Sequence, residues 1–479
     1  MYICTKTNMD KKTKIIATIS DKINTFECLS KLFEKGVNVV RLNTAHQSID
    51  ESVKIIESVR SINDNIAVLI DTKGPEVRTS AHGKAFNVKE GEIIQIKGTP
   101  EGESKEGLLF VNYTHFVTDV PVGQRILIDD GDIALLIVDK RADALLCQVE
   151  NSGVIKLRKG VNVPNIKLNL PTLSTKDKAY IDFAITHKVD YIAHSFVQSA
   201  EDVHQIRNIL DKHKSTIRII AKIENQIGVD HIDEIIEASD GIMVARGDLG
   251  IEIAAEKIPV IQRELAKKCI RKNKIVIIAT QMLHSMILNP RPTRAEVNDV
   301  ATAVYEKADA LMLSGETAGG NYPIETVDMM SKVIKEVESA VQKYPIKTKP
   351  LSEDILSVLS HSAVLACNSL PIKAIIVDTQ SGRTARYLSA YRGHIPVYAF
   401  CYNEYAVRQL ALNYGVKSFM MQMNSSRDGF LKSTMLFLVD QQLVQYEDRV
   451  VVVGGSFGTA NGASFIEISS VRNLIDYAE

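Results

Sequence analysis

Three ionisable side chains in the middle of the chain have a spacing that suits phosphate and metal chemistry. Lys222 and Glu224 are two residues apart at the end of an apolar run, so on a β-strand they would share one face. Asp248 follows the next apolar run. Two carboxylates from neighbouring strands could hold Mg²⁺ through oxygen ligands, and a nearby lysine could stabilise charge on a phosphoryl group or an enolate. An ion pair between two strands accounts for the same spacing equally well, so both interpretations stay open here.

A second charged segment, residues 71–78, reads Asp-Thr-Lys-Gly-Pro-Glu-Val-Arg. Its Gly-Pro step predicts a tight turn, and its charged side chains would suit the binding of phosphate and cations. A charged hinge is the simpler interpretation of the segment taken alone. His46, near the end of another apolar run, could serve catalysis or could equally have a supporting or core role.

A third segment with chemical potential lies near the C-terminus, between a predicted strand and a predicted helix. It reads Thr-Gln-Ser-Gly-Arg-Thr over residues 379–384. Hydroxyl groups, backbone N–H groups and a helix N-terminus together can bind an anion. A plain N-cap turn is the alternative interpretation.

Eight apolar runs of strand length would position the charged residues around Lys222 and the segment 71–78. They cover residues 14–19, 37–42, 67–70, 191–196, 218–223, 241–244, 275–279 and 308–313. Continuous apolar runs are typical of parallel strands buried on both faces, and most of these runs are separated by stretches of helical periodicity. The pattern predicts a (β/α)8 barrel.

Polar and charged residues gather where these runs end. They are Arg41 and Asn43, Asp71 and Thr72, Ser195, Lys222 and Glu224, Arg246 and Asp248, Thr280, and Ser314 with Glu316. Any one of these residues could be a solvated loop residue. Polar residues at seven of the eight run ends are poorly explained as solvated loops alone. The carboxyl ends of the strands form the active face of such a barrel, so we expect the site there.

Two parts of the chain differ from the barrel pattern. Short strand-like runs flanked by Gly or Asp follow the third barrel run and predict an inserted all-β domain at the active face. Strands and helices alternate after about residue 348 and predict a mostly parallel open sheet. The predicted fold class is therefore α/β, a TIM barrel with an inserted all-β barrel domain and a C-terminal α/β open-sheet domain. We expect the barrel domain at 1–73 and 171–345, the inserted lid domain at 74–170 and the C-terminal domain at 346–479.

Composition excludes several classes of protein. The 479 residues are 45% hydrophobic, with 57 basic and 58 acidic side chains and a net charge of −1. This apolar content excludes dominant disorder, and the balanced charge does not favour binding to nucleic acid or to a membrane. The six cysteines lack the C-x-x-C spacing of a zinc site. We find no secretory signal and no apolar stretch of about 18 residues, and expect a cytoplasmic protein.

Seven blocks of sequence, taken together, resemble the pyruvate kinase family. They are Arg41-Leu42-Asn43, the segment 71–78, Lys222-Ile223-Glu224-Asn225, and the segments 241–250, 279–282, 290–296 and 312–318. The likeness runs from about Lys14 to the C-terminus and is strongest over residues 218–323. It implies the last step of glycolysis, phosphoryl transfer from phosphoenolpyruvate to ADP, which yields pyruvate and ATP through a metal-stabilised enolate.

The resemblance also implies cofactors. Mg²⁺ (or Mn²⁺) would be bound by Glu224 and Asp248, and K⁺ by Asn43, Asp71 and Thr72.

Roles for the other residues come from the same resemblance. Lys222 would sit at the phosphoryl group and stabilise the enolate, and Arg41 would contact the transferring phosphoryl group. The backbone amides of Gly247 and Asp248 would hold the substrate carboxylate together with Thr280, which would also lie near the proton path to the enolate carbon.

The nucleotide and the effector are assigned in the same way. Arg78 would contact the nucleotide phosphates, with Asn43 and His46 at the nucleotide site. In the C-terminal domain, a sugar-phosphate effector would be bound by Thr379, Ser381, Gly382, Arg383 and Thr384. The resemblance further implies an allosteric homotetramer.

Two positions that bear on K⁺ binding give opposite indications. Ala45 stands where the family has a serine whose hydroxyl helps to bind K⁺. Glu76, in contrast, is the residue of potassium-dependent members, whereas independent members tend to have Lys there. We expect a weakened dependence on K⁺ rather than none.

Two other functions remain open at this stage. A non-catalytic relative that binds phosphorylated metabolites would account for Ala45, but it would not need the full set of charged residues. A lyase of the phosphoenolpyruvate/pyruvate barrels would also use a metal and carboxylates, but it would need neither the inserted domain nor Arg78.

Overall fold

The computed structural model of the chain describes residues 11–341, 350–423, 426–455 and 463–476. The expected boundary between residues 345 and 346 lies outside them. In chain order the strands are β1 (Lys14–Thr18), β2 (Val39–Asn43), β3 (Ala67–Asp71), β4 (His82–Gly83), β5 (Phe86–Val88), β6 (Ile93–Lys97), β7 (Glu103–Ser104), β8 (Leu108–Phe110), β9 (Arg125–Ile128), β10 (Ile133–Lys140), β11 (Leu145–Val149), β12 (Gly153–Ile155), β13 (Val161–Asn162), β14 (Tyr191–His194), β15 (Arg218–Ile223), β16 (Gly241–Ala245), β17 (Ile275–Ala279), β18 (Ala310–Leu313), β19 (Ile372–Thr379), β20 (Val397–Cys401), β21 (Val416–Met420), β22 (Arg449–Gly455) and β23 (Ala463–Ser470). The α-helices are α1 (Phe26–Lys35), α2 (Ile49–Ile62), α3 (Phe116–Asp119), α4 (Thr175–Thr186), α5 (Ala200–Lys212), α6 (Gln226–Asp230), α7 (Ile232–Ala238), α8 (Arg246–Glu252), α9 (Ile258–Arg271), α10 (Arg294–Tyr305), α11 (Gly315–Ala318), α12 (Pro323–Val341), α13 (Ile355–Ser369), α14 (Arg383–Ala390), α15 (Glu404–Gln409), α16 (Arg427–Asp440) and α17 (Val471–Asp476).

The eight apolar runs form one closed parallel barrel. Its strand order is β1-β18-β17-β16-β15-β14-β3-β2. Side chains alternate between two cores, because successive residues of a strand point to opposite faces. Val39, Leu69 and Tyr191 fill the barrel interior, whereas Val40, Val68 and Ile192 pack under the helices. The predicted (β/α)8 barrel is confirmed.

Three aspartates hold neighbouring strands together at the amino-terminal end of the barrel. Asp190, Asp240 and Asp309 directly precede β14, β16 and β18. Each carboxylate accepts a backbone N–H from the adjacent strand, at 2.8, 2.9 and 3.1 Å respectively. The donors are Val68, Ile219 and Val276. These bonds fix the register of strand pairs far from the active face.

Two of the same aspartates anchor the C-terminal domain. Arg408 Nε donates to Asp190 Oδ1 at 2.8 Å. Arg392 forms a two-pronged ion pair with Asp309, with nitrogen–oxygen distances of 2.8 and 2.5 Å. The Arg392 and Asp309 side chains are only 3% and 2% exposed, so neither charge is solvated by water. The barrel and the C-terminal domain therefore share buried charges.

The segment between β3 and β14 forms a separate β structure with its own core. Its main sheet has six strands in the order β13-β9-β10-β11-β6-β8, and two short pairs, β12-β5 and β4-β7, lie beside it. Ile94, Leu109, Ile126 and Leu135 are among the residues of its core. Sequence patterns missed β4, β5, β7, β8 and β13, because two or three residues are too few to show a period of two.

The C-terminal domain is a five-stranded open sheet in the order β21-β20-β19-β22-β23. All neighbouring pairs are parallel except β22 and β23. Helices α13 and α14 pack against this sheet. The alternation of strands and helices in the sequence predicted an α/β open sheet here, and that prediction is confirmed. Among the described residues, no helix combines the length and the apolar character needed to cross a membrane.

His194, the last residue of β14, is a buried histidine whose ring makes no hydrogen bond to the described residues. Neither ring nitrogen has a partner among the described residues, and the side chain is fully buried. Tyr191 and Ala193 point into the barrel interior. Because successive side chains of a strand point to opposite faces, His194 points towards the helical layer. Burial lowers the pKa of His194 to about 4, although Asp202 and Asp177 oppose the shift.

We predict that replacing Arg392 with Met destabilises the protein by about 3 kcal/mol, because Asp309 is then buried without its cation. Calorimetry should show the lost stability as a lower unfolding temperature. Arg472→Met is the control, since Arg472 and Glu447 form an exposed pair, and little change is expected there. Equal unfolding temperatures for the Arg392→Met variant and the unmodified protein would contradict the anchoring role.

We also predict that His194 makes folding sensitive to acid. The unfolded chain takes up a proton at this histidine below about pH 6.5, whereas the folded protein does so only near pH 4, so stability falls between these values as the pH falls. The loss amounts to about 3 kcal/mol at most. His194→Leu should flatten the pH dependence of unfolding by urea in this window. An unchanged slope in that variant would show that other groups cause the acid sensitivity.

Candidate active site

Lys222 lies at the centre of a buried group of charges at the carboxyl ends of the barrel strands. Its Nζ atom is 3.0 Å from Asp71 Oδ1, 2.9 Å from Glu224 Oε1 and 2.7 Å from Ser195 Oγ. Burial alone would lower the pKa of Lys222, but the charges of Asp71 and Glu224 outweigh it and raise the pKa above the ordinary value. We call Lys222, Asp71, Glu224, Ser195 and Arg41 the Lys222 cluster.

Arg41 joins the Lys222 cluster from the neighbouring strand β2. Its Nε atom donates to Asp71 Oδ2 at 2.7 Å, and its Nη1 atom donates to Thr18 Oγ1 at 2.9 Å. Burial acts to raise the pKa of Asp71, yet Arg41 and Lys222 outweigh it and hold the pKa below the ordinary value. Asp71 therefore stays ionised between two cations.

Glu224 and Asp248 follow the adjacent strands β15 and β16, as the sequence predicts. Glu224 Oε2 accepts the backbone N–H of Phe196 at 2.6 Å. Burial raises the pKa of Glu224, Lys222 opposes the shift and the charge of Asp248 adds to it. The two carboxylates are therefore close enough for the charge of one to act on the other.

Thr280 and Gly247 meet where β16 and β17 end. The backbone N–H of Gly247 donates to Thr280 Oγ1 at 2.7 Å. Thr280 has φ +69°, in the left-handed region. The hydroxyl and the amide that the sequence assigned to the substrate carboxylate are thus adjacent.

Of the residues assigned to K⁺, Asp71 belongs to the Lys222 cluster, and Asn43 and Thr72 lie beside it. Asn43 and Asp71 are direct neighbours across β2 and β3. Asn43 Oδ1 accepts the N–H of Ala45 at 3.1 Å, and Ala45 contributes a methyl group here in place of a hydroxyl. Thr72 Oγ1 accepts the N–H of Ser195 at 3.1 Å and donates to a carbonyl of β14 at 3.3 Å.

Arg78 lines a cleft of about 470 Å³ between the barrel and the inserted segment. Its Nε atom is 2.7 Å from Glu76 Oε2, and its Nη1 atom donates to the carbonyl of Arg158 at 2.9 Å. Asp248 lines the same cleft. His46 lies in the exposed turn after β2, beyond the residues that line this cleft.

The loop 379–384 belongs to the C-terminal domain and is not brought together with the barrel site. Gly382 has φ +76°, and its N–H donates to Thr379 Oγ1 at 2.9 Å, so the loop closes tightly before α14. Ser381 and Arg383 are exposed, whereas Thr384 is buried. The loop therefore has the turn geometry that both interpretations of its sequence require.

Within the described parts of the chain, no group of three or more His, Cys, Asp or Glu side chains is arranged to hold a metal ion. Glu224 and Asp248 are only two carboxylates. A metal bound there would need further oxygens from water or substrate.

Ser195 is the member of the Lys222 cluster to which the sequence assigned no role. Its Oγ atom accepts from Lys222 and donates to the carbonyl of Thr72 at 2.7 Å. Its position at the end of an apolar run was the available signal, but serine is also common in the solvated loops that follow strands. Its role becomes apparent only once β14 is placed between β3 and β15.

The chain is similar to known proteins over nearly all of its length. A family profile described as "Pyruvate kinase, barrel domain" matches residues 10–327, and one described as "Pyruvate kinase, alpha/beta domain" matches residues 357–469. The pyruvate kinase of Borreliella burgdorferi is 43% identical over 98% of this chain and 99% of its own length. The pyruvate kinase of Geobacillus stearothermophilus is 42% identical over 98% of this chain and 81% of its own. A crystal structure of a pyruvate kinase from Cryptosporidium parvum has a TM-score of 0.90 at 34% identity and covers 96% of both chains.

The profiles cover most of the chain and the relatives nearly all of it. The chain therefore belongs to the pyruvate kinase family, whose members are metal-dependent phosphotransferases that act on phosphoenolpyruvate and ADP.

Proposed function

We propose that Lys222 carries the reaction by stabilising negative charge on the transferring phosphoryl group and on the enolate that it leaves behind. The observation that supports this role is the buried position of its ammonium group, 3.0 Å from Asp71 and 2.9 Å from Glu224. The two carboxylates keep it protonated and fixed in place. A preorganised cation in a site with little water stabilises developing charge more strongly than it would in solution.

Arg41 is proposed to bind the same phosphoryl group. Its hydrogen bonds to Asp71 and Thr18 orient the guanidinium group before substrate arrives. Phosphoryl transfer depends mainly on positioning and charge stabilisation, so two oriented cations suit this reaction.

The substrate carboxylate is proposed to bind at the backbone amides of Gly247 and Asp248, beside Thr280. The Gly247 N–H would exchange its bond to Thr280 Oγ1 for a bond to the substrate. This frees the Thr280 hydroxyl, which would lie near the path of the proton to the enolate carbon.

Mg²⁺ (or Mn²⁺) is proposed to bind at Glu224 and Asp248. The donor set fits, because both ligands supply the oxygens that this ion prefers. The proximity of the two carboxylates, which helps to raise the pKa of Glu224, favours a cation near them. When bound, the ion supplies positive charge for the phosphoryl and enolate oxygens.

K⁺ is proposed to bind near Asn43, Asp71 and Thr72, with fewer protein ligands than the family pattern provides. Ala45 offers no side-chain oxygen, and Asn43 Oδ1 already accepts one hydrogen bond. Water would have to complete the coordination. Activation by K⁺ should therefore be present but weak.

The inserted domain is proposed to close over the site as a lid, with hinges near residues 73–74 and 170–171. Asp177 lies at both hinges, because its carboxylate accepts the N–H of Lys73 at 3.0 Å and of Ser174 at 3.0 Å. Closure would exclude water from the reaction. The nucleotide would bind in the cleft at Arg78 and extend beyond the residues that line it to Asn43 and His46.

The remaining proposals follow the family. The loop of Thr379, Ser381, Gly382, Arg383 and Thr384 would bind a sugar-phosphate effector. Its support here is the tight turn at Gly382 and the exposed Arg383 at the start of α14. We further propose a homotetramer in the cytoplasm.

We predict that Lys222→Met lowers kcat about 1,000-fold or more, because it removes charge stabilisation in the transition state. A coupled assay should follow pyruvate formed from phosphoenolpyruvate and ADP with Mg²⁺. Lys268→Met, which breaks an exposed ion pair with Asp233 on the outside of the barrel, is the matched control and should keep normal turnover. Near-normal kcat in the folded Lys222→Met variant would remove Lys222 from the mechanism.

We predict that Ala45→Ser strengthens activation by K⁺, because it restores a hydroxyl ligand. The ratio of kcat in K⁺ to kcat in Na⁺ should rise several-fold, while Ala45→Gly, which adds no oxygen, should leave the ratio unchanged. The same ratio in all three proteins would show that residue 45 does not contact the cation.

A further inference from the structure

Thr280 is held in a conformation that its side chain disfavours. Its φ of +69° is followed by +54° at Gln281. Among the described non-glycine residues with positive φ, Thr280 is the only β-branched one. Such a backbone costs of order 1–3 kcal/mol and persists only where surrounding contacts hold it.

Arg246 provides those contacts. Its Nη2 atom donates to the carbonyl of Thr280 at 2.7 Å, and its Nε atom donates to the carbonyl of Ala279 at 3.4 Å. Arg246 is also the first residue of α8, directly before Gly247. One residue thus joins the two halves of the carboxylate site, with its backbone on one side and its guanidinium group on the other.

Asp299 fixes the guanidinium group from α10. Its two oxygens accept from Arg246 Nη1 at 2.6 Å and Nη2 at 2.8 Å, in a two-pronged ion pair. The Arg246 side chain is 12% exposed. A planar guanidinium group bound at both prongs has little freedom left, so it can direct its remaining N–H groups at fixed acceptors.

The same helix holds the segment after Thr280 at a second point. Glu296, in the first turn of α10, accepts the N–H and the hydroxyl of Ser285 at 2.7 and 2.5 Å. The segment from Thr280 to Ser285 is therefore attached to α10 at one end through Arg246 and at the other through Glu296.

We propose that Arg246 is a positioning residue that keeps the Thr280 backbone in the conformation needed to bind the substrate carboxylate, and that Asp299 acts by fixing Arg246. This inference rests on the proposed role of Thr280. It gives Arg246 and Asp299 a function in substrate binding that does not require either residue to contact the substrate.

The proposal predicts which kinetic constants change. Without the guanidinium group the Thr280 peptide would relax towards negative φ, which would move the hydroxyl and the neighbouring amides of Gly247 and Asp248. Small displacements of positioning groups can cost about 100-fold in rate. The Arg78 side chain, which the nucleotide phosphates would contact, has no part in this arrangement, so the KM for ADP should stay within twofold of normal.

The test uses the full-length enzyme and the pyruvate assay, with phosphoenolpyruvate and ADP varied in turn. For Arg246→Lys and Arg246→Met we expect kcat/KM for phosphoenolpyruvate to fall about 100-fold, with the KM for ADP within twofold of normal. Asp299→Ala should cost about tenfold. The double variant Arg246→Met/Asp299→Ala should be no worse than Arg246→Met, because Asp299 acts only through Arg246.

Arg207→Lys is the matched control. Arg207 forms a 2.5 Å ion pair with Asp240 at the opposite end of the barrel, and its replacement should leave all kinetic constants unchanged. Thermal unfolding and circular dichroism report the folded fraction of every variant. If Arg246→Met or Asp299→Ala does not fold, Arg246→Lys and Asp299→Asn, which nearly preserve side-chain size, take their place in the test.

Three outcomes would overturn the proposal. They are normal kcat/KM for phosphoenolpyruvate in folded Arg246 variants, a KM for ADP that rises as much as the KM for phosphoenolpyruvate, and additive losses in the double variant. Thr280→Ala, measured in parallel, separates this failure from failure of the proposed function. Normal activity in Thr280→Ala would reject the role of Thr280 itself, whereas a defect there with normal Arg246 variants would reject only the positioning role.

Discussion

The ion pairs of the Lys222 cluster are the constraint on which the rest of the site depends. A buried ammonium group is costly unless carboxylates surround it, and Lys222 has two within 3.0 Å. The members of the cluster come from β2, β3, β14 and β15, or directly follow those strands. A slip of one residue in any of these strands would turn its side chain to the other face, leaving a buried charge unpaired. The cluster therefore requires a barrel of fixed register.

That register is fixed at the opposite end of the barrel. Asp190, Asp240 and Asp309 each bind a backbone N–H of the adjacent strand, and two of them also bind arginines of the C-terminal domain. The same carboxylates thus hold strand pairs in place and anchor a neighbouring domain. Arg392 lies two residues beyond the end of α14, the helix that follows the loop 379–384. The proposed effector loop and the start of β18 are therefore connected through a short stretch of chain and one buried ion pair.

The sequence could predict those features that repeat or that follow from strand ends. Eight apolar runs indicated the barrel, and their polar last residues indicated Lys222, Glu224 and Asp71. Features that depend on tertiary placement could not be predicted. Ser195 is an ordinary serine until three strands surround it, and Asp190, which precedes a strand, has the pattern of a solvated turn. The left-handed backbone of Thr280 has no sequence signal, because threonine is among the residues least suited to it.

Charge balance determines which departures from the family pattern such a site can tolerate. The five charged side chains at the centre of the site are two cations and three carboxylates, which leaves no net positive charge where an anionic substrate must bind. These side chains are Arg41, Lys222, Asp71, Glu224 and Asp248. Cations from outside the chain must therefore accompany the substrate, in agreement with the metal dependence of the family. Alanine in place of serine at position 45 leaves this balance unchanged and would alter only the number of oxygen ligands at the proposed K⁺ site. Loss of either cation would instead make the site more negative. We therefore expect neutral positions to tune cation affinity, and substitutions at the charged positions to reduce activity.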